Sequence, residues 1–294
     1  MMKSGLILEG GGMRGVYTAG VLQKLMEEDL FMDYVIGVSA GACNAVSYLS
    51  RQSGRNRTVM IDYVTHPDYI SMKNLLKNRE LFGMNLIFDD IPNRLVPFDY
   101  GGFDRGAEEF VVGTTDCMTG EAVYYRKPLP PEELLAVVRA SSSLPFMSRP
   151  VEFGGRLLMD GSLADPLPIK QALSDGVTKP IVVMTREKSY RKRQTPLMRL
   201  APAFARQYPG LARVLEERQR VYNESLAHIE ELEAQDEAMI IRPRNLHKLR
   251  GIERDQERLA ALYIQGYRDA ELMVPRLRKF IQSHHAASAE RSLR

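Results

Sequence analysis

Two stretches near the start of the chain share one grammar: a short apolar run, a cluster of glycines, then a helix. Gly5-Leu6-Ile7-Leu8 leads into Gly10-Gly11-Gly12-Met13-Arg14-Gly15, and Val16, Ala19, Val21, Leu22, Leu25 and Met26 follow near helical spacing. Tyr34-Val35-Ile36 leads into Gly37-Val38-Ser39-Ala40-Gly41, and residues 42–49 read as a second helix. A short strand that is apolar throughout is buried on both faces, and strands alternating with helices run parallel. This opening predicts a three-layer α/β/α fold around a mostly parallel central sheet.

Further strands are expected at residues 109–115 and 122–126, joined by a Thr119-Gly120 turn, and at Leu157-Leu158-Met159 and residues 180–184. A helix is expected over residues 132–141, with Pro130 and Pro131 at its start. Residues 66–100 mix Met, Leu, Phe, Pro and Asn without a clean period. After Thr185 the chain turns polar and helical. We read residues 5–185 as one domain and residues 186–294 as a mainly helical extension packed on it. An amphipathic helix begins after Pro209-Gly210, Met239-Ile240-Ile241 can return a strand to the sheet, and residues 254–281 form a last helix.

Gly37-Val38-Ser39-Ala40-Gly41 has the G-x-S-x-G pattern of a nucleophile elbow, in the strand-to-helix setting that pattern requires. Gly37 and Gly41 permit a tight backbone, and the following helix N-terminus favours developing negative charge. The plainer alternative is a small-residue turn packing a helix on a strand. The N–H groups of Gly10, Gly11 and Gly12 can converge on one anion, as in an oxyanion hole, and Arg14 either fixes the loop or meets a phosphate. Gly10, Gly12 and Gly15 also satisfy G-x-G-x-x-G, the dinucleotide-binding pattern. That fold wants an acid at the end of the next strand, where Gly37-Val38-Ser39 stands instead.

A serine nucleophile needs a base. His66 precedes any candidate acid, His228 lies on the amphipathic helix, and His284 and His285 sit in the polar tail; only His247 has a loop-like setting. An elbow this early in the chain argues against a Ser–His–Asp triad. Asp160-Gly161, directly after a strand, offers a carboxylate able to touch Ser39, the alternative being an ordinary Asp-Gly turn.

The ordered motifs resemble those of the patatin-like phospholipases. They are Gly10 to Gly15, Gly37 to Gly41, Thr115-Asp116 with Thr119-Gly120, Arg139-Ala140-Ser141-Ser142-Ser143-Leu144-Pro145, and Asp160-Gly161. Together they span roughly residues 5–170. The resemblance implies a Ser–Asp dyad with Ser39 as nucleophile and Asp160 as base. It also implies an oxyanion hole at Gly10, Gly11 and Gly12, and a substrate-binding role for Arg14. Ser162 stands where the family often has Gly or Ala. The implied activity is lipid acyl hydrolysis of phospholipase A or lysophospholipase type. The other classes weighed are a non-catalytic lipid-binding regulator on a hydrolase scaffold and a dinucleotide-binding protein.

Composition narrows the remaining choices. Of 294 residues, 40 are basic and 37 acidic, so the formal charge of +3 gives no nucleic-acid footprint. Within that balance, residues 186–220 carry ten Lys or Arg against three Glu, and residues 221–239 carry six acids and no Lys or Arg. The basic run Arg186 to Arg193 reads first as a solvated loop or a partner for this acidic helix, and as a headgroup contact only second. Two cysteines make no disulfide framework or metal-ligand spacing, so no cofactor or metal is expected. No apolar run approaches about 18 residues. We therefore expect a cytoplasmic protein, its partner a lipid or other ester, with peripheral membrane contact and no nucleic acid. The Met- and Leu-rich stretch from Met72 to Phe88 reads as core cover first and as an acyl-chain channel second.

Overall fold

The computed structural model describes residues 2–194, 206–246, 249 and 251–283. A mixed eight-stranded sheet forms its centre. The strands are β1 (Ser4–Leu8), β2 (Tyr34–Val38), β3 (Glu109–Asp116), β4 (Ala122–Arg126), β5 (Val151–Phe153), β6 (Arg156–Asp160), β7 (Lys179–Val183) and β8 (Met239–Ile241). The helices that cover the sheet are α1 (Val16–Glu27), α2 (Ala40–Leu49), α3 (Pro131–Ser141), α4 (Ile169–Ser174), α5 (Pro209–Ala234) and α6 (Gln256–Gln282).

Strand order is β5-β6-β3-β2-β1-β7-β8, with β4 paired to β3. From β3 to β8 all neighbours are parallel, whereas β4, β6 and β5 add antiparallel pairs. Side chains alternate across the sheet as strand geometry requires. Leu6, Leu8, Val35, Val112, Ile181 and Val183 face a core with helices α1, α2 and α6. Ile7, Ile36, Val111, Val182 and Ile240 face the opposite core, with α4 and α5. Burial on both faces explains why these strands read as continuous apolar runs.

The chain after β7 is built into the same layers. β8 extends the sheet in parallel with β7, α5 covers one face, and α6 lies along α1 on the other. Pro209 occupies the first turn of α5, where its missing N–H costs no hydrogen bond. Asp255 caps α6 by accepting from the Glu257 and Arg258 N–H groups.

Residues 66–100 contain what periodicity left unread. Ile70 bridges Phe82, a short helix spans Met72–Asn78, and Leu86–Leu95 winds with π-type hydrogen bonding around Pro92. A wider helical turn and an internal proline erase the 3.6-residue signal.

Candidate active site

Ser39 stands between β2 and α2 with φ 54° and ψ −128°, a conformation that non-glycine residues seldom adopt. Its carbonyl begins the helix by accepting the Cys43 N–H at 3.1 Å. Two glycines make the turn fit. A Cβ on Gly41 would overlap the Leu8 carbonyl oxygen, and one on Gly37 would lie 2.7 Å from the Ala42 nitrogen. The elbow is thereby pressed against the end of β1, where the glycine loop starts. A Cβ on Gly10 would come 3.0 Å from that of Ser39.

Sheet register brings Asp160 to the same point. Gly113 of β3 pairs with Val38, and the next residue, Thr114, pairs with Asp160. Because β4 occupies the other edge of β3 over Val111–Thr115, β2 and β6 share one edge end to end. Ser39 therefore leaves β2 just where Asp160 ends β6. Gly161 lets β6 approach so closely that a Cβ there would overlap the Gly113 carbonyl oxygen.

Asp160 is 0% exposed. Its Oδ1 accepts the Ser162 N–H at 2.8 Å, while Oδ2 is buried and closes no hydrogen bond of ordinary geometry. Burial pushes the carboxyl above the usual carboxylate range; Ser162, the Ser39 hydroxyl and the Arg218 charge oppose that rise. The Ser39 hydroxyl therefore lies near enough to the carboxyl to favour its charged form.

The serine run after α3 is the scaffold of this pair, a role the sequence did not reveal. The Ser39 N–H donates to Ser141 Oγ at 2.8 Å, and the Ser141 hydroxyl donates to the Gly113 carbonyl at 2.7 Å. The Asp160 N–H donates to the Ser143 carbonyl at 2.9 Å. Ser141→Ala leaves one buried donor and one buried acceptor unpaired, and should lower stability in a urea titration by about 2 kcal/mol. Ser142→Ala, which loses a bond to the Val138 carbonyl within its own turn and a weak contact with the Cys43 thiol, should change it by less than about 0.5 kcal/mol.

Two cavities open beside Ser39. One, of about 90 Å³, is apolar and lined by Met60, Tyr69, Phe82, Met84, Ile87 and Phe88. The stretch expected mainly as core cover thus also walls a cavity beside Ser39. Cys43 borders it too, its thiol pushed up to about 11 by burial. The other cavity, of about 570 Å³, holds the glycine loop, Asp160 and four cations: Arg14, Arg186, Lys192 and Arg218. Burial, then Arg186, pulls Arg14 down to about 10. Burial, then Arg218, pulls Lys192 down to about 7. Glu9 faces the same space, its carboxylate accepting from Thr185 and, at 2.9 Å, from the Tyr222 hydroxyl.

Gly10, Gly11, Gly12, Arg14, Ser39 and Asp160 all line the larger cavity, while Gly37 and Gly41 lie behind it. The residues missed from sequence are Arg186, Tyr190, Lys192, Arg218 and Tyr222, all from the chain after β7. Their only local signal was the basic run, and Arg191 in that run does pair with Glu230 of α5 at 2.7 Å. Of the histidines, His66 and His228 lie away from this cavity; His247, His284 and His285 fall outside the described residues. Among the described residues no group of three or more His, Cys, Asp or Glu is arranged to hold a metal ion.

Residues 6–173 match the family model of patatin-like phospholipases, and residues 208–282 match a domain of unknown function, DUF6363. The uncharacterized protein YjjU of Escherichia coli K12 is 29% identical over 186 residues, covering 61% of this chain and 51% of that protein. The uncharacterized NTE family protein Rv2565 of Mycobacterium tuberculosis H37Rv is 27% identical over 174 residues, covering 58% of this chain and 28% of that protein. The match thus spans about half of the first relative's length and under a third of the second's. VipD from Legionella pneumophila, in its crystal structure, aligns with a TM-score of 0.48 at 14% identity, covering 94% of this chain and 67% of that one.

Proposed function

Because the chain belongs to the patatin-like phospholipase family, we propose that it is a serine hydrolase of lipid carboxylic esters, working through Ser39 and Asp160. One observation carries the reading. A serine held at a strand end by positive-φ backbone lies beside a wholly buried carboxyl with an unpaired oxygen. In the proposed reaction Ser39 Oγ attacks the ester carbonyl as Asp160 takes the hydroxyl proton. The tetrahedral oxyanion forms against the glycine loop. Met13 and Arg14 spend their N–H groups on the Gly251 and Gly11 carbonyls, which leaves the donors of Gly10, Gly11 and Gly12 for the oxyanion. Collapse expels the alcohol with the proton from Asp160. Asp160 then activates water to release the acid from the acyl-enzyme.

A carboxylate with an ordinary pKa is a weak base near neutrality. Burial of Asp160, which raises its proton affinity, supports the assignment. The apolar cavity lined by Met84 and Phe88 suits the acyl chain. Among the described residues no helix is long and apolar enough to cross a membrane. Peripheral contact with a lipid surface is supported by the helix Met72–Asn78, where Met72 and Leu76 are 63% and 83% exposed beside Lys73 and Lys77.

The test is covalent capture. A fluorophosphonate should modify the full chain stoichiometrically, with peptide mass spectrometry placing the adduct on Ser39. Hydrolysis of a 4-nitrophenyl acyl ester should vanish in proportion to labelling. Label on another residue, or turnover that persists in the fully labelled protein, would overturn the reading.

A further inference from the structure

The larger cavity beside Ser39 holds more positive charge than a neutral ester needs. Arg14 comes from the glycine loop, Arg186 and Lys192 from the segment after β7, and Arg218 from α5. Two carboxylates, Glu9 and Asp160, face these four cations. Both oxygens of Glu9 already accept hydrogen bonds, from Tyr222 and Thr185. Among the described residues none of the four cations closes an ion pair. The Nε atoms of Arg14 and Arg218 are buried without a partner. Arg186 lies over the Tyr190 ring at 4.2 Å and Lys192 over the Tyr222 ring at 5.0 Å, which fixes both heads toward the cavity wall.

Partly buried cations that no carboxylate closes into an ion pair form a preorganised anion site. The apolar cavity also borders Ser39 and shares Gly12, Phe82 and Leu144 with the cation-lined one, so an ester at the serine has room for its acyl chain in the first and its alcohol portion among the cations. We propose that Arg14, Arg186, Lys192 and Arg218 bind a phosphate group on the alcohol portion of the substrate, so that the region after β7 selects phosphate-bearing lipid esters over neutral glycerides. The proposal rests on the hydrolase reading of Ser39. It assigns to the C-terminal region a part in substrate choice.

The low proton affinity of Lys192 among these cations adds a linked effect. A bound phosphate restores the charge on Lys192, so binding takes up a proton at neutral pH and weakens as pH rises. The groups facing Lys192 in this linkage are Arg14, Arg186, Arg218 and Glu9, with the Tyr222 ring of α5 beneath its ammonium.

The experiment compares two ester substrates of equal acyl length, a monoacylglycerol and its 3-phosphate, on the full chain. The phosphate ester should be favoured in kcat/KM, and Arg186→Met and Lys192→Met should each reduce that preference about tenfold. An unchanged preference in both variants, including one where both substrates slow equally, would overturn the proposal.

A binding arm separates this from the catalytic reading. The Ser39→Ala chain is titrated with an ether-linked alkylglycerol, its phosphate, and inorganic phosphate alone. Tight binding of the alkyl phosphate that is lost in Lys192→Met supports the site even if no ester is turned over. Equal binding of alkylglycerol and its phosphate overturns it even if neutral esters are hydrolysed. Inorganic phosphate binding as tightly as the alkyl phosphate would assign the site to a free anion and overturn the lipid assignment.

Discussion

Asp160→Asn should reduce ester turnover by a factor on the order of 1,000 while making the folded protein more stable at neutral pH. Asparagine keeps the shape of the side chain and an oxygen for the Ser162 N–H, but it cannot accept the Ser39 proton. Ser39→Ala, Asp160→Asn and the double variant should therefore fall to a common floor, since groups acting as one unit do not contribute additively. Stability moves the other way because the wild-type carboxylate is buried without full compensation.

The sign follows from linkage. The folded pKa lies above the unfolded one, so the native state binds the proton more tightly, and stability is lost as pH rises through the folded pKa. Removing the charge recovers on the order of 1 kcal/mol at pH 7. The gap between variant and wild type closes in acid, where Asp160 is itself neutral. Activity needs the ionised form, so kcat/KM should fall on the acid side around a pKa above the ordinary 3.9 or so of aspartate. Urea titrations across pH, set beside the pH–rate profile, check both halves. Turnover that survives Asp160→Asn would sink the assignment.

Gly266→Ala should cost about 3 kcal/mol and lower the melting temperature by roughly 5–10 °C. Helices α1 and α6 cross at Gly20 and Gly266, each of which packs on the backbone of the other helix. A Cβ on Gly266 would overlap the Tyr17 carbonyl oxygen, and one on Gly20 would overlap that of Tyr263. Both obstacles are helix backbone, so neither yields by turning a side chain, and the helices must separate. Around the crossing, the Tyr17 hydroxyl donates to Asp269 at 3.0 Å and that of Tyr267 to Glu27 at 2.6 Å. These bonds weaken with distance.

The damage reaches the site through the segment before α6, because the Gly251 carbonyl accepts the Met13 N–H of the glycine loop at 3.0 Å. Turnover should therefore fall along with stability. Leu272→Ala on the same helix, at a side chain 68% exposed, should leave both within error. Differential scanning calorimetry of the three chains measures the contrast, and a Gly266→Ala chain as stable as wild type would refute the close crossing.

Local physics wrote most of the sheet into the sequence. β1, β2, β6 and β7 are short apolar runs bounded by glycine, proline or Asp-Gly, and they fold within one or two residues of where those signals place them. The elbow was legible for the same reason. A strand, a G-x-S-x-G turn and a helix are all encoded within about fifteen residues, and the positive φ of Ser39 is what that turn requires. The stretch over residues 66–100 was not legible, because π-type winding over Leu86–Leu95 and the internal Pro92 leave no period to read.

What the sequence determined by itself is the set of chemical parts. It supplied Ser39 on its turn, the glycine loop from Gly10, a carboxylate at Asp160 closing a strand, and an α/β order of elements. Tertiary structure decided which parts meet. Asp160 joins Ser39 only because consecutive residues of β3 pair with β2 and then with antiparallel β6. The Ser39 N–H finds Ser141 across 102 residues, and Glu9 finds Tyr222 across 213. The cations of the larger cavity converge from the glycine loop, the segment after β7 and α5. Their positions follow from sheet register and helix packing, which are set by burial summed over the whole chain. No local run of residues carries that information.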